Sequence, residues 1–304
     1  MTKRGLILDG GTGRELERIG APFRQPEWSA LALMEAPEFV RKVHDNYIEA
    51  GADVITTNSY AVVPFHIGDK SFEADGAMLA ARAGRIAREA ADASTARKIL
   101  VAGSLPPVFG SYQPDLFDAK RAGHYLDTLV GGMAPYVDLW LAETQSSLAE
   151  ARAAREATLS TGKPLWISFT LRDDLAPSDM PEPLLRSNET VKAAAELVAS
   201  FGGEAMLFNC SMPEVMEAAI ETARATFAAL GADIQVGVYA NAFPSQQDDE
   251  EANATLTEIR NDLDPDSYGR WAGRWAASGA SIIGGCCGIG VDHIHALSGR
   301  YRCV

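Results

Sequence analysis

Residues 189–239 read ETVKAAAELVASFGGEAMLFNCSMPEVMEAAIETARATFAALGADIQVGVY. Helical spacing over Glu189–Phe201 gives way, after two glycines, to a short β-rich run, Ala205–Asn209. A second Ala/Glu-rich stretch, Pro213–Leu230, opens on a proline, which the first turn of a helix tolerates because its N–H would be unbonded anyway. Gln235–Tyr239 is then another β-rich run. Helix, strand, helix, strand in fifty residues is the repeat of an α/β protein.

The same alternation extends outward to both ends. Further strands are expected at Gly5–Asp9, Val54–Asn58, Ile99–Gly103, Val137–Glu143, Leu165–Thr170 and Ala280–Gly284. Helical stretches such as Glu38–Ala50, Ala74–Ala91, Ser146–Thr161 and Pro265–Ser278 lie between them, and Gly51, Gly162 and Gly279 supply stops. Eight strands, each followed by a helix, is the count of a single (β/α)8 TIM barrel; doubly wound sheets usually stop earlier. No low-complexity linker divides the chain, so residues 1–304 are expected to form one domain. The longest expected loops, Gly20–Pro37, Leu105–Asp118, Arg172–Ser187 and Ala242–Asp264, would gather on the C-terminal face of the barrel, where such proteins keep their active sites.

Composition narrows the partners. The chain carries 27 basic and 41 acidic residues, a formal net charge of −14. That field opposes a phosphate backbone, so nucleic acid is not expected as a partner. No apolar run approaches a membrane span, and MTKRGLILDGG lacks the apolar core of a signal peptide. A cytoplasmic location is the expectation, and four cysteines there are not a disulfide framework. Oligomeric state is left open.

Strand ends converge on the mouth of a barrel. They carry Asp9-Gly10-Gly11, Thr56-Thr57-Asn58, Glu143-Thr144, Asn209-Cys210, Tyr239-Ala240-Asn241 and Gly284-Gly285-Cys286-Cys287-Gly288. Three thiols, Cys210, Cys286 and Cys287, thus reach one mouth from strands more than seventy residues apart. A catalytic zinc uses three protein ligands and keeps a fourth position open. Spacing alone leaves two readings: a Zn2+ site, or a small buried hydrophobe at Cys210 with an incidental vicinal pair. Asp9 reads equally as a turn-forming Asp-Gly, and Glu143 as a surface charge or a mouth ion pair.

The segments ILDGGTGREL (7–16), GADVITTNSY (51–60), LAETQSS (141–147), FNCS (208–211) and IIGGCCGI (282–289) resemble the homocysteine S-methyltransferase family, in order and across nearly the whole chain. The resemblance implies zinc at Cys210, Cys286 and Cys287, and a methyl transfer from a small onium donor to the thiolate of homocysteine, giving methionine. It implies substrate binding by Asp9 and Glu143, toward the ammonium, and by the backbone at Gly10, Gly11 and Thr57, toward the carboxylate. It makes Asn241 a candidate for the fourth zinc position in the free protein. Cys303 stands outside every motif. No proton-transfer residue is implied, since a cationic donor leaves as a neutral molecule.

The donor is less defined. Trp28, Tyr60, Phe65, Phe109, Tyr112 and Phe243 fall in mouth-side loops, and an onium methyl favours aromatic faces. GSLPPVFGSYQPD (103–115) departs from the GSVGPYGAYL-like stretch of the S-methylmethionine enzymes. S-methylmethionine, S-adenosylmethionine, betaine and dimethylsulfoniopropionate stay open, a small sulfonium being favoured. Two further readings stand beside this one: a metal-free barrel lyase or isomerase with Glu143 as base, and a non-catalytic zinc- or thiol-binding protein.

Overall fold

The computed structural model describes residues 5–175, 180–244 and 259–301. Eight parallel strands form one sheet in the order β1-β8-β7-β6-β5-β4-β3-β2. They are β1 Leu6–Ile7, β2 Val54–Thr56, β3 Leu100–Leu105, β4 Leu139–Gln145, β5 Leu165–Phe169, β6 Ala205–Asn209, β7 Gln235–Tyr239 and β8 Ile282–Ile283. A parallel bridge between Leu8 and Val54, with Asp9 N–H donating to the Val54 carbonyl at 3.0 Å, joins β1 to β2. This closes the expected (β/α)8 TIM barrel. The limits of β6 and β7 fall where the sequence places them. β1 and β8 are shorter than expected, and β4 runs on past Glu143 through a register shift between Ala142 and Gln145.

The outer ring holds α3 Pro37–Ala50, α5 Asp69–Ala93, α6 Ala119–Met133, α7 Leu148–Thr158, α8 Val191–Ser200, α9 Pro213–Leu230, α10 Pro265–Ser278 and α11 Val291–Tyr301. Local signals set several ends. Ser147 and Glu150 form a reciprocal capping box, so α7 begins at Leu148. Asp264 caps α10, and left-handed Gly51 and Gly279 end α3 and α10. Three short helices, α1 Thr12–Arg18, α2 Ser29–Glu35 and α4 Pro64–Ile67, sit in mouth-side connections. α2 lies inside the segment expected to be loop; its N-cap residue, Trp28, makes no side-chain capping bond, so no start signal marks it. Among the described residues no helix is long and apolar enough to cross a membrane.

Period two along the strands produces two cores. Leu8, Val54, Ala102, Leu139, Leu141, Trp166, Ala205, Leu207, Tyr239 and Ile282 pack together inside the barrel. Their neighbours Ile7, Ile55, Val101, Trp140, Ile167, Met206, Phe208, Val238 and Ile283 belong to the larger layer that includes the helices. Counting upward in twos along the inward positions reaches Thr56, Ser104, Glu143, Ser168 and Asn209. The apolar filling therefore ends in a polar layer at the mouth.

Candidate functional site

Above that layer opens a cavity of about 160 Å³ lined by residues from the ends of most strands. Its floor is fixed by backbone contacts around the cysteines. Gly285 N–H donates to the Asp9 carbonyl at 3.0 Å, Cys286 N–H to Ala240 at 3.0 Å, and Ala242 N–H to Cys287 at 2.8 Å. The turn is completed by Gly288 at φ +81°. Gly10 and Gly11 pack on it so closely that a Cβ on Gly10 would lie 2.3 Å from the Ile289 carbonyl oxygen, and one on Gly11 2.6 Å from that of Cys286. These glycines therefore serve the joint between the Asp-Gly-Gly end and the cysteine turn.

Cys210, at φ +50°, turns its sulfur toward that joint. Asn209 beside it is wholly buried; its side chain accepts from Thr144 N–H at 2.9 Å and the Ser168 hydroxyl at 2.7 Å, and donates to the Thr144 hydroxyl at 2.8 Å. The Sγ atoms of Cys210 and Cys286 are 2.6 Å apart, and all three cysteine sulfurs lie within 4.8 Å of one another. Hydrogen bonding to Cys210 and to Cys287, with burial, pushes the Cys286 thiol well above its ordinary range. The bonds from Cys210 and Cys286 hold Cys287 well below it. Without a cation the set thus favours one thiolate that two thiols share; three thiolates together require positive charge between them. Cys303 lies outside the described residues.

Two acids face the same space. Asp9 Oδ2 accepts from Thr56 N–H at 2.7 Å and Oδ1 from the Thr56 hydroxyl at 3.0 Å. Burial pushes its pKa up to about 7 against those bonds, and the charge of Glu143 adds to the rise. Glu143 is partly exposed, to the cavity, and accepts from the Ser104 hydroxyl and from Tyr239 OH at 3.5 Å. Burial likewise raises it to about 7. Glu143 is therefore not a surface charge, and it forms no ion pair among the described residues. Two carboxyls strained toward the neutral form in one cavity make a place for a cation.

Of the backbone amides named from sequence, two are engaged: Gly11 N–H donates to Ile289 at 2.9 Å and Thr57 N–H to Ala102 at 2.9 Å. The Thr57 hydroxyl accepts from Ser104 N–H and pairs with Ser59, which turns it into the structure. Gly10 and, beside Thr57, Asn58 are buried and cavity-lining, and their N–H groups donate to no acceptor among the described residues. Buried amides of that kind are rare without a ligand. Asn241 is wholly buried; its Oδ1 accepts from Phe243 N–H at 3.3 Å, while its Nδ2 has no hydrogen-bond partner among the described residues.

The mouth-side aromatics divide. Trp28, Tyr60, Tyr112 and Phe243 line the cavity. Phe65 instead packs on His66 at 4.1 Å between ring centroids, and Phe109 on Phe117 and Tyr125. Trp28 and Tyr112 join Thr144 and Cys210 in the left-handed region, at φ +49° and +65° for the two aromatics. Four of the five such non-glycine residues among the described residues therefore line one cavity, and strain of this kind concentrates at functional sites. The Arg186 guanidinium, itself paired with Asp173 at 2.8 Å, lies 4.6 Å from the centroid of the Tyr112 ring. Ser104, Arg14 and His66 are site residues that motif reading passes over. Tyr239 is read from sequence only as a strand end at the mouth, with no role; for Ser104 the inward strand parity was the available signal. No lysine lines the cavity among the described residues.

Fold and site together define a (β/α)8 barrel with, at the C-terminal mouth, a set of three cysteines able to hold a metal ion. Comparison with known proteins narrows the class. Residues 6–301 match the family model described as homocysteine S-methyltransferase. Homocysteine S-methyltransferase 1 of Arabidopsis thaliana is 31% identical over 326 residues, covering 96% of this chain and 92% of the relative. The selenocysteine methyltransferase of Astragalus bisulcatus is 28% identical, covering 97% and 91%. The metallated crystal structure of the Escherichia coli homocysteine methyltransferase MmuM superposes with a TM-score of 0.78 at 27% identity, covering 98% of this chain and 97% of that one. The chain belongs to the homocysteine S-methyltransferase family and is a methyltransferase.

Proposed function

We propose that this chain transfers a methyl group from a small onium donor, a sulfonium such as S-methylmethionine before betaine, to the thiolate of homocysteine, giving methionine, with Zn2+ held by Cys210, Cys286 and Cys287. The observation that carries the reading is the placement of three clustered thiols under two buried acids in a single cavity. The donor set fits the ion. Thiolates sharing a tetrahedral zinc at about 2.3 Å stand about 3.8 Å apart. The Cys210 and Cys286 sulfurs are 2.6 Å apart and all three lie within 4.8 Å of one another, so small side-chain shifts bring them to that spacing. Three protein sulfurs also leave the open position that distinguishes a catalytic zinc. When bound, the ion supplies a lowered pKa for a substrate thiol and a fixed place for its sulfur.

The protein's own groups do the rest. Glu143 and Asp9 receive the homocysteine ammonium, whose charge relieves the burial that otherwise keeps both carboxyls protonated near neutrality. The Gly10 and Asn58 N–H groups receive the carboxylate. Held at both ends, the amino acid points its sulfur at the cysteines. Trp28, Tyr60, Tyr112 and Phe243 present faces to the onium charge and exclude water from the reacting methyl. The thiolate lone pair forms the new S–CH3 bond while the donor's bond to that methyl breaks, its electron pair leaving on a neutral thioether. No proton moves, so neither raised carboxyl is needed as acid or base. Sulfonium donors are favoured because a neutral thioether is a weaker base, hence a better leaving group, than a tertiary amine.

Side-by-side steady-state assays of the zinc-loaded protein, following methionine formed from homocysteine, test the proposal. S-methylmethionine should give a higher kcat/KM than betaine. The reverse order would overturn the donor assignment, and no methionine from any onium donor would overturn the reaction. Selenocysteine as a competing acceptor tests the choice of thiol.

A further inference from the structure

Arg14 contributes a charge that the reaction above does not use. It lies on α1 and is the only lysine or arginine among the described residues lining the cavity. Its side chain is 18% exposed and its Nη1 pairs with Glu17 at 2.9 Å. Its guanidinium carbon stands 6.0 Å from the centroid of Phe243, one of the aromatics of the donor wall. The cavity is thus electrically polar. The cysteines, Asp9 and Glu143 supply its negative groups, and three thiolates carry more negative charge than a divalent ion cancels. Arg14 is its fixed cation, 18% exposed on the Phe243 side and near enough that its charge also helps hold the Cys287 thiol low.

We infer that Arg14 selects the methyl donor by its carboxylate, so that the cavity takes zwitterionic onium carboxylates in preference to bare onium cations. The inference rests on the methyl-transfer reading above. A donor with the onium inward, against the aromatic faces, and a carboxylate a few bonds outward matches both ends of the field. A bare sulfonium gains only the inner half and is repelled by the guanidinium as it enters. The planar fork of arginine, with five N–H donors, can serve a carboxylate while keeping an exposed partner such as Glu17. Homocysteine has a separate provision for its carboxylate in the buried Gly10 and Asn58 amides. This leaves the partly exposed rim beside Phe243 to the second substrate.

The test uses two donors of nearly equal size and the same leaving group, dimethylsulfoniopropionate and its carboxamide, with the zinc-loaded full chain and homocysteine. Wild type should show the lower KM for the carboxylate. Arg14→Gln should raise the KM of the carboxylate about ten- to hundred-fold, with the KM of the carboxamide unchanged or lower. The homocysteine KM, zinc content and melting temperature should stay as in wild type, and Arg14→Lys should recover most of the loss. An unchanged carboxylate KM in Arg14→Gln overturns the inference, as does an equal rise for both donors. A rise confined to homocysteine also overturns it, by assigning the guanidinium to the acceptor. If wild type uses neither of these donors but forms methionine from S-methylmethionine, the inference falls and the parent reading stands; if no onium donor gives methionine, the parent reading itself fails.

Discussion

Replacing Glu143 by glutamine should weaken homocysteine binding and leave metal binding intact. The substitution preserves shape: a glutamine oxygen at the same place still accepts from the Ser104 hydroxyl, and Tyr239 OH can turn to it as well. What is removed is the negative charge, in a cavity where burial, with the Cys210 charge and against the bonds from Ser104 and Tyr239, raises the carboxyl to about 7. A hydrogen bond to a charged group contributes about 1.5–3 kcal/mol, so affinity should fall roughly 10- to 150-fold. The upper part of that range is expected because little water can replace the lost charge. Binding is not abolished, since Asp9 remains to receive the ammonium. Glu143→Ala should be no better than glutamine, because space without charge recovers nothing. Calorimetric titration of homocysteine into the zinc-loaded variants, with elemental analysis of each preparation, measures both quantities. Homocysteine binding by Glu143→Gln within a factor of two of wild type would refute the reasoning and make Glu143 a structural acid.

Protein purified without chelator should carry about one zinc per chain; Cys210→Ser, Cys286→Ser and Cys287→Ser should each lose it while Cys303→Ser keeps it, and full retention in two of the first three would remove the site. Gly11→Ala puts a methyl 2.6 Å from the Cys286 carbonyl and 3.2 Å from the Cys287 Cα; it should cost about 1–3 kcal/mol of stability and lower zinc occupancy, read by thermal melting and metal analysis. His44 on α3 is wholly buried, neither ring nitrogen has a hydrogen-bond partner among the described residues, and burial, with the nearby Arg41 charge, pushes its pKa down to about 4. Between pH 6.5 and 4 the unfolded chain therefore takes a proton that the folded chain refuses, so stability falls as pH drops through that window. His44→Leu removes this loss and should gain about 2 kcal/mol on wild type at pH 5 relative to their difference at pH 7.5. Asp9, Glu143, Glu150 and His66 titrate alike in both proteins and cancel, so denaturant melts showing a flat difference would refute the assignment.

Much of this protein is written locally. Proline at the start of α9, glycine after α3 and α10, and short β-rich runs between Ala/Glu-rich stretches are nearest-neighbour signals, and they yield eight strand–helix units and place β6 and β7 correctly. The Cys210, Cys286 and Cys287 set was legible for the related reason that strand ends in a barrel must share one mouth. What the chain order does not contain is which partners each group finds once the barrel closes. Ser104 and Tyr239 reach Glu143 from neighbouring and distant strands, a pairing set by sheet register. Gly11 and Thr57 lose their amides to the carbonyls of Ile289 and Ala102, whereas Gly10 and Asn58 donate to no acceptor among the described residues. Phe65 packs on His66 and Phe109 on Phe117 and Tyr125, while Trp28 and Tyr112 line the cavity in left-handed backbone. Periodicity is a property of a few consecutive residues, but hydrogen-bond satisfaction and side-chain exposure belong to contacts between segments far apart in the chain, and only the closed barrel decides them.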